Sequence, residues 1–410
     1  MANKLIKIKD LVPGMYVDEI NCSLKERERI GETRNFLVIS KNEIDRLAAL
    51  GIQELYINPA KGLDHFDEDD ERRKTNQAIA ELARLKNIQN AQKPKVLADE
   101  LYDARMLQEK VCAELESAIG RLRAGKKIDI EPVWPLLEEI YKSVSGNKDA
   151  IVTVCRKKKK GGYALEHSVS HCALMMAFGQ TLGMDKDAVL ELGLGGLFHD
   201  IGNIRVPAAI MNKPGKLTAE ELAVIRKHPS WGGEFVQGTE GFPEKALAVV
   251  MEHHERLDGT GYPNQLKDHE ISLFGQMASI VDVYDARISI RAYGSAADPC
   301  LVIRQLFEGA GKQFHKELAQ HYINTIGIYP VGTLARLESN KLGIVIRQTK
   351  SLTQPVVRIV FDLKQNCFMP PEDVDLSRPR AKMDKVIGHE AAEKWKIDPF
   401  RFISPELARL

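Results

Sequence analysis

Histidine and aspartate side chains recur at the ends of apolar helical stretches through the middle of this sequence, and they constrain its fold more than any other feature. LGLGGLF precedes His199 and ALAVVME precedes His253, and both runs are typical of buried helices. Buried imidazoles and carboxylates need hydrogen-bond partners, which an apolar core does not supply. We therefore predict that these helices surround one shared polar site. Its residues are His167, His199, Asp200, His228, His253, His254 and Asp282.

Bound metal ions would explain why these side chains are buried together, because metal ions take neutral imidazole and carboxylate ligands and compensate buried negative charge. The set has the right number and kind of ligands for two cations, with positions left for water and substrate, and an aspartate can bridge two cations. Two metals about 3.5–4 Å apart lower the pKa of a shared water and hold the attacking and leaving oxygens of a displacement at phosphorus. The ligand set therefore predicts a binuclear centre that hydrolyses a phosphate ester.

Composition excludes several other classes of protein. The 58 Lys and Arg residues nearly cancel the 57 Asp and Glu residues, which argues against an electrostatic binder of polymeric nucleic acid. No window reaches the ~18 apolar residues that a membrane span needs. The N-terminus lacks the apolar segment of a signal peptide, so we expect a cytoplasmic protein. The six cysteines form no CxxC pair, which argues against a zinc ribbon or a disulfide framework.

Changes of pattern divide the 410 residues into four predicted parts. Residues 1–65 alternate short strands with one helix, which predicts a small α/β regulatory or docking module. Residues 66–149 predict a helical connector, and the sequence leaves open whether it is a spacer or a helix pair that forms a homodimer. Residues 150–325 predict nearly continuous helix, and residues 326–410 predict a few strands and a terminal helix. The predicted fold class is mostly α: a helical bundle with a small N-terminal α/β module and a short β-containing C-terminal extension.

Three motifs in a fixed order give the sequence a family resemblance. They are HDIG at 199–202, HHERLDGTGYP at 253–263 and VDVYDARISIRAY at 281–293. Together they resemble the HD-GYP domains of the HD superfamily of metal-dependent phosphohydrolases, which hydrolyse the bacterial second messenger cyclic di-GMP. An HD pair alone is weak evidence for this family, whereas the HD, HH and GYP motifs in this order are specific evidence for it. The resemblance covers roughly residues 150–335 and implies an HD-type bundle, and residues 1–65 resemble a small domain that often precedes HD-GYP domains.

The resemblance implies which residues hold metals. One divalent transition metal ion, with iron or manganese favoured, would be held by His167, His199, Asp200 and Asp282. The second ion would be held by Asp200, His228, His253 and His254. Asp200 would therefore bridge the two ions.

The resemblance also implies contacts with cyclic di-GMP. Tyr262 would pack against a base or sugar of the ligand, and Arg291 would pair with a phosphate. Asp285 would either support the metal ligands or bind the guanine edge. Independently of the resemblance, Lys213 in the KPGK loop is a nearby lysine that would supply a cation close to the scissile phosphate.

Three positions depart from the family pattern. The family often has a lysine after HDIG, where this chain has Asn203, and a basic residue after the RPY motif, where it has Gly294. Family members with a third metal carry a glutamate one helical turn before the first histidine, where this chain has Tyr163. Glu166 lies about 100° away around the helix and should point elsewhere. We therefore expect two metals, and catalysis that depends on Asp200 and on the uncharged Asn203.

The function that follows is a bacterial cyclic di-GMP phosphodiesterase that forms linear pGpG, GMP or both by means of a two-metal-activated hydroxide. Turnover should be slow, because Asn203 supplies no charge. The alternative is a degenerate HD-GYP protein with little turnover, which acts as a cyclic di-GMP receptor or as an interaction scaffold for signalling proteins. An HD phosphohydrolase acting on another nucleotide is disfavoured by the GYP segment.

Overall fold

The computed structural model describes residues 3–11, 15–21, 35–38, 41–58, 97–156, 163–213, 215–288, 297–378 and 384–404. Arg291 and Gly294 lie outside these described residues. The chain forms two compact units, Met1–Lys74 and Thr75–Leu410, each of which has its own core.

The smaller unit is an antiparallel sheet with one helix. Its strands are β1 (Lys4–Lys7), β2 (Tyr16–Asn21), β3 (Phe36–Leu37) and β4 (Glu54–Ile57), in the order β1-β4-β2-β3. Helix α1 (Lys41–Ala49) lies between β3 and β4 in the chain. Alternate residues of β4 are buried, as expected for a sheet with one covered face. This arrangement confirms the α/β part of the predicted fold class.

Helices dominate the larger unit. They are α2 (Leu97–Arg123), α3 (Val133–Arg156), α4 (Tyr163–Leu182), α5 (Lys186–Phe198), α6 (Ala208–Met211), α7 (Ala219–Ile225), α8 (His228–Gln237), α9 (Glu244–Glu252), α10 (Leu273–Ile288), α11 (Pro299–Gly309) and α12 (Lys316–Ile326). A short 3-10 helix, Ile201–Arg205, follows α5.

Helix α4 is the central helix of the bundle. Every residue from 166 to 179 is buried, which is expected for a helix that is apolar on all sides. One of its faces, including Val169 and Met176, shares a core with α2 and α3. The opposite face, including Leu174 and Phe178, packs with α10, α11 and α12. Because α4 is fixed on both sides, any polar side chain at its N-terminal half has a defined position.

Glycines allow α5 to approach α4 closely. A Cβ atom on Gly193 would lie 2.0 Å from Cε of Met176, and one on Gly196 would lie 3.1 Å from Cα of Cys172. Such distances are below ordinary van der Waals contact, so a side chain at either position would push against α4, and glycine lets the two helices pack this closely. The close packing brings the C-terminal end of α5 next to α4.

A second antiparallel sheet completes the larger unit. Its strands are β5 (Leu334–Leu337), β6 (Lys341–Arg347), β7 (Val356–Asp362), β8 (Cys367–Asp375) and β9 (Val386–His389), in the order β8-β7-β6-β5-β9, and α13 (Pro399–Ile403) follows. Residues of β5, β6 and β7 share one core with α2 and α3. The observed fold confirms the predicted class, a mostly α bundle with a small α/β module and a β-containing extension. The predicted boundaries at 66, 150 and 326 remain predictions.

The connector helices α2 and α3 use their apolar faces within the chain. Leu101, Val111 and Leu115 of α2 are buried against the bundle core. Tyr102 and Met106 of the same helix are exposed. No helix among the described residues is long and apolar enough to cross a bilayer.

Candidate metal centre

The larger unit brings the seven histidine and aspartate residues predicted as ligands into one cluster. They come from α4, from the ends of α5 and α9, from the start of α8 and from the middle of α10. Their potential ligand atoms form three overlapping groups, each with all its atoms within 4.8 Å of one another. The groups are His228, His253 and His254; His167, His199 and Asp282; and His199, Asp200 and His253.

Local hydrogen bonds fix the tautomers of three of these histidines. The Nδ1–H groups of His199, His228 and His253 donate to the backbone carbonyls of Gly196, Ile225 and Val250, at 2.8, 2.8 and 2.9 Å. In each case the carbonyl belongs to the residue three positions earlier. With Nδ1 protonated, Nε2 carries the lone pair, which is the arrangement that a metal-binding imidazole requires.

The fourth imidazole, that of His167, is oriented by a buried carboxylate. Nδ1 of His167 donates to Oδ2 of Asp285 at 2.5 Å, and the hydroxyl of Ser170 donates to Oδ1 of Asp285 at 2.5 Å. Asp285 is fully buried. Of the two predicted roles of Asp285, this position favours support of the metal ligands over contact with a guanine edge.

The oriented Nε2 atoms face one another in pairs. Nε2 of His167 lies 3.3 Å from Nε2 of His199, and Nε2 of His228 lies 3.0 Å from Nε2 of His253. Each pair brings two lone pairs together, which is repulsive unless a cation lies near both. Burial lowers the pKa of His199 and His253, so a shared proton is a poor candidate for that cation. The donor set therefore fits metal ions.

Asp200 is positioned to serve both pairs. Its Oδ2 atom lies 3.5 Å from Nε2 of His199 and 3.9 Å from Nε2 of His167, whereas its Oδ1 atom lies 3.2 Å from Nε2 of His228. The two oxygens of one carboxylate thus face different histidine pairs. A carboxylate placed in this way would suit a ligand that two metal ions share.

Asp282 also reaches both parts of the cluster. Its Oδ1 atom lies 3.5 Å from Nε2 of His167, and its Oδ2 atom lies 3.3 Å from Nδ1 of His254. Burial lowers the pKa of His254 to about 3, so this imidazole is neutral and available as a ligand near neutral pH. The family resemblance predicts one ion for Asp282, and its position facing both His167 and His254 is a finding of the structure.

His171 lies behind the cluster. Its ring is fully buried and stacks on that of His199, with 4.2 Å between centroids and 17° between planes. Neither of its ring nitrogens has a hydrogen-bond partner among the described residues. The ring therefore contributes packing beneath His199.

The segment that contains the GYP motif folds back over the paired histidines. The backbone N–H of Tyr262 donates to the carbonyl of His254 at 3.2 Å. A Cβ atom on Gly261 would lie 2.5 Å from the backbone nitrogen of Arg256, so the close approach of these two backbone segments requires glycine. The Tyr262 ring lies 4.5 Å from the His254 ring, centroid to centroid, at an angle of 32°. Tyr262 therefore forms a wall of the cluster beside His254.

Glu255, which is not among the site residues predicted from sequence, anchors the same segment. Its carboxylate is fully buried and accepts the backbone N–H groups of Asn264 at 2.7 Å and Leu266 at 3.0 Å. Burial raises the pKa of Glu255, and these hydrogen bonds oppose the rise. An acidic residue directly after the His-His pair was the available signal.

We expect Glu255→Gln to destabilise the GYP segment. The substitution places an NH₂ group against backbone N–H donors and removes the charge of the acceptor, which should lower the free energy of unfolding by ~2 kcal/mol. Chemical denaturation measures the loss. Asp258→Asn is the control, because the hydrogen bonds that Asp258 accepts within the described part of the chain come from its near neighbour Thr260, and it should change stability by less than ~0.5 kcal/mol. Equal losses in the two variants would contradict the anchoring role.

Two predicted phosphate-binding residues occupy different surroundings. Asn203 is half-buried in the 3-10 helix that begins beside Asp200, and its backbone N–H donates to the Asp200 carbonyl at 3.0 Å. Lys213 forms an ion pair with Glu221: its ammonium lies 2.8 and 2.7 Å from the two carboxylate oxygens of that residue. Arg291, the third predicted phosphate contact, lies outside the described residues.

Comparison with known proteins extends over nearly the whole chain. A family model described as HD domain matches residues 153–318, and one described as a domain of unknown function (DUF3391) matches residues 3–133. The chain is 34% identical over 399 residues to the cyclic di-GMP phosphodiesterase PA4108 of Pseudomonas aeruginosa. The alignment covers 96% of this chain and 94% of that protein. It is 29% identical over 235 residues to a cyclic di-GMP phosphodiesterase of Vibrio cholerae, which covers 55% of this chain and 44% of that protein. It is also 33% identical over 155 residues to the cyclic di-GMP phosphodiesterase response regulator RpfG of Xanthomonas campestris, which covers 38% of this chain and 40% of that protein.

Proposed function

This chain belongs to the HD-GYP family of HD-domain proteins, and we propose from that premise that it is a cyclic di-GMP phosphodiesterase. The observation that carries the proposal is the pairing of imidazole lone pairs around the two oxygens of Asp200. Such a site suits hydrolysis of a phosphodiester. Three proteins similar to this chain are named cyclic di-GMP phosphodiesterases. The products would be linear pGpG, GMP or both.

The HD family is metal-dependent, and this chain has histidine and aspartate clusters suited to metal ions. We propose two divalent ions, iron or manganese, that share Asp200 as a ligand. The first would also be held by His167, His199 and Asp282. The second would also be held by His228, His253 and His254. When bound, such ions lower the pKa of a coordinated water and withdraw charge from phosphate oxygens.

The protein's own residues orient the reacting groups. Backbone carbonyls and Asp285 hold four imidazoles in one tautomer, so little reorganisation is needed when the substrate binds. Tyr262 limits the position of the nucleoside. Asn203 offers an amide N–H to a phosphate oxygen from the turn that carries Asp200, and Arg291 would pair with phosphate.

Hydrolysis of cyclic di-GMP by the purified protein tests the proposed function. The protein is incubated with cyclic di-GMP and Mn²⁺ or Fe²⁺, and the products are separated by chromatography. We expect pGpG to appear first and GMP, if formed, to follow. Tight binding of cyclic di-GMP without any product would favour the receptor alternative, in which the domain signals through protein partners.

Elemental analysis should find two transition metal ions per chain. The seven ligands divide between two positions around Asp200, and Tyr163 stands where a third-metal glutamate is found in the family. Glu166, three residues later in the sequence, is buried 3.8 Å from the Arg105 guanidinium, a position that favours pairing with a cation of the protein. A stoichiometric third ion held by protein side chains would contradict this count.

A homodimer remains part of the proposal. Tyr102 and Met106 are exposed on α2 one helical turn apart, and within the described residues of the connector they form an apolar pair that a second copy would cover. The mass of the protein in solution, measured by light scattering, distinguishes the monomer from the dimer.

A further inference from the structure

A stack of side chains leads from the metal-ligand cluster to the surface. His254 faces Asp282 inside the cluster, and the ring of Tyr262 covers His254. The guanidinium carbon of Arg226 lies 5.5 Å from the centroid of the Tyr262 ring. Arg226 is exposed, whereas Tyr262 is half-buried. One aromatic ring therefore separates a surface cation from an imidazole of the centre.

The backbone that positions Arg226 is the backbone that positions His228. Arg226 caps the C-terminal end of α7, and its backbone N–H donates to the carbonyl of Leu222 at 2.9 Å. Two residues later His228 begins α8 and enters the cluster. The backbone of Arg226 is thus held at the margin of the site by a short, hydrogen-bonded connection, and its side chain contacts the Tyr262 ring.

Two neighbouring cations already have partners in the chain. Arg256 donates to the carbonyls of His253 and Glu255 at 3.3 and 2.7 Å, and Lys213 is paired with Glu221. The Arg226 guanidinium, by contrast, makes no hydrogen bond or ion pair with any described residue. Its contact with the Tyr262 ring leaves its N–H donors available for an anion.

We infer that Arg226 binds the second phosphodiester of the cyclic dinucleotide, the one that is not hydrolysed; this inference rests on the proposed function. A cyclic dinucleotide carries two phosphodiesters in one ring, so placing one at the cluster leaves the other outside it. A guanidinium matches the geometry of a phosphate through two parallel N–H···O bonds. Arg226 would therefore favour cyclic dinucleotides over substrates with a single phosphate.

Comparison of two substrates tests the role of Arg226. Cyclic di-GMP carries both phosphates, whereas bis(p-nitrophenyl) phosphate carries only the reacting one. We expect Arg226→Ala to raise KM for cyclic di-GMP roughly tenfold to a hundredfold, to leave kcat nearly unchanged, and to leave bis(p-nitrophenyl) phosphate hydrolysis unchanged. Arg226→Lys keeps the charge without the two-pronged geometry and should recover part of the loss.

Lys227→Ala is the matched control, because it removes the adjacent exposed charge without altering the stack. It should leave KM for cyclic di-GMP within about threefold of wild type, a residual effect of lost long-range attraction. An unchanged KM in Arg226→Ala, or an equal loss on both substrates, would overturn the inference while leaving the phosphodiesterase in place. A wild-type protein that hydrolyses bis(p-nitrophenyl) phosphate but neither binds nor hydrolyses cyclic di-GMP would instead overturn the proposed function, and the inference with it.

Discussion

Asp200→Ala is expected to abolish metal binding and phosphodiester hydrolysis together. The two oxygens of Asp200 face different histidine pairs, so the substitution removes a ligand from both metal positions and leaves two cations without shared negative charge. Activity should fall by at least about a thousandfold, beyond the 10- to 100-fold loss typical of removing an outer partner of a ligand. Elemental analysis and single-turnover hydrolysis measure the two effects.

Two further variants separate the bridge from the packing around it. Asp200→Asn keeps the shape of the side chain and removes its charge, so it should lose metal nearly as completely as Asp200→Ala. His171→Ala removes a buried ring that stacks on His199 without belonging to the ligand set, and most metal should remain. Two metal ions per chain in Asp200→Ala would show that the bridging carboxylate has been misassigned.

The identity of the cluster could be predicted from sequence because its residues differ so clearly from their surroundings. An imidazole after LGLGGLF or ALAVVME stands out in an apolar helix, and the order of the HD, HH and GYP motifs is specific. The structure brings all seven residues together. Their assignment to particular ions remains a proposal, because an ordered list of ligands does not state which atoms face each other.

The orientation of the cluster was beyond sequence reasoning for a different reason. His199 and His253 each donate to the carbonyl three residues earlier, a bond that depends on how each helix ends. The Asp285–Ser170 hydrogen bond joins residues 115 positions apart and follows from the packing of α10 on α4. Contacts of this kind are decided by tertiary packing, and the local pattern around either residue is compatible with many other partners.

The fold class was predictable for a related reason. Hydrophobic periodicity distinguishes the helices of the bundle from the alternating strands near both ends of the chain. Periodicity does not reveal that β5, β6 and β7 share a core with α2 and α3. Those strands and helices are far apart in sequence, and their contact depends on surfaces that fit only in the folded chain.

Asn203→Lys is expected to accelerate hydrolysis. Asn203 lies on the 3-10 turn that begins beside Asp200, and this turn is pressed against α8, since a Cβ atom on Gly202 would lie 1.9 Å from the His228 carbonyl oxygen. A preorganised cationic donor at such a position commonly contributes ~3 kcal/mol to transition-state stabilisation, or about a hundredfold in rate. Lys213, the other cation considered for this role, is held by both oxygens of Glu221, so it should not already supply that charge.

Single-turnover hydrolysis of cyclic di-GMP at saturating metal compares wild type, Asn203→Lys and Asn203→Met. The methionine variant matches the lysine in length but carries no charge and donates no hydrogen bond, so it should be slower than wild type. A faster lysine variant beside a slower methionine variant would assign the gain to the ammonium group and would support the predicted slow turnover of the wild-type protein. Equal rates in all three proteins would mean that the groups already around the cluster supply all the charge stabilisation that the reaction uses, and that position 203 contributes none.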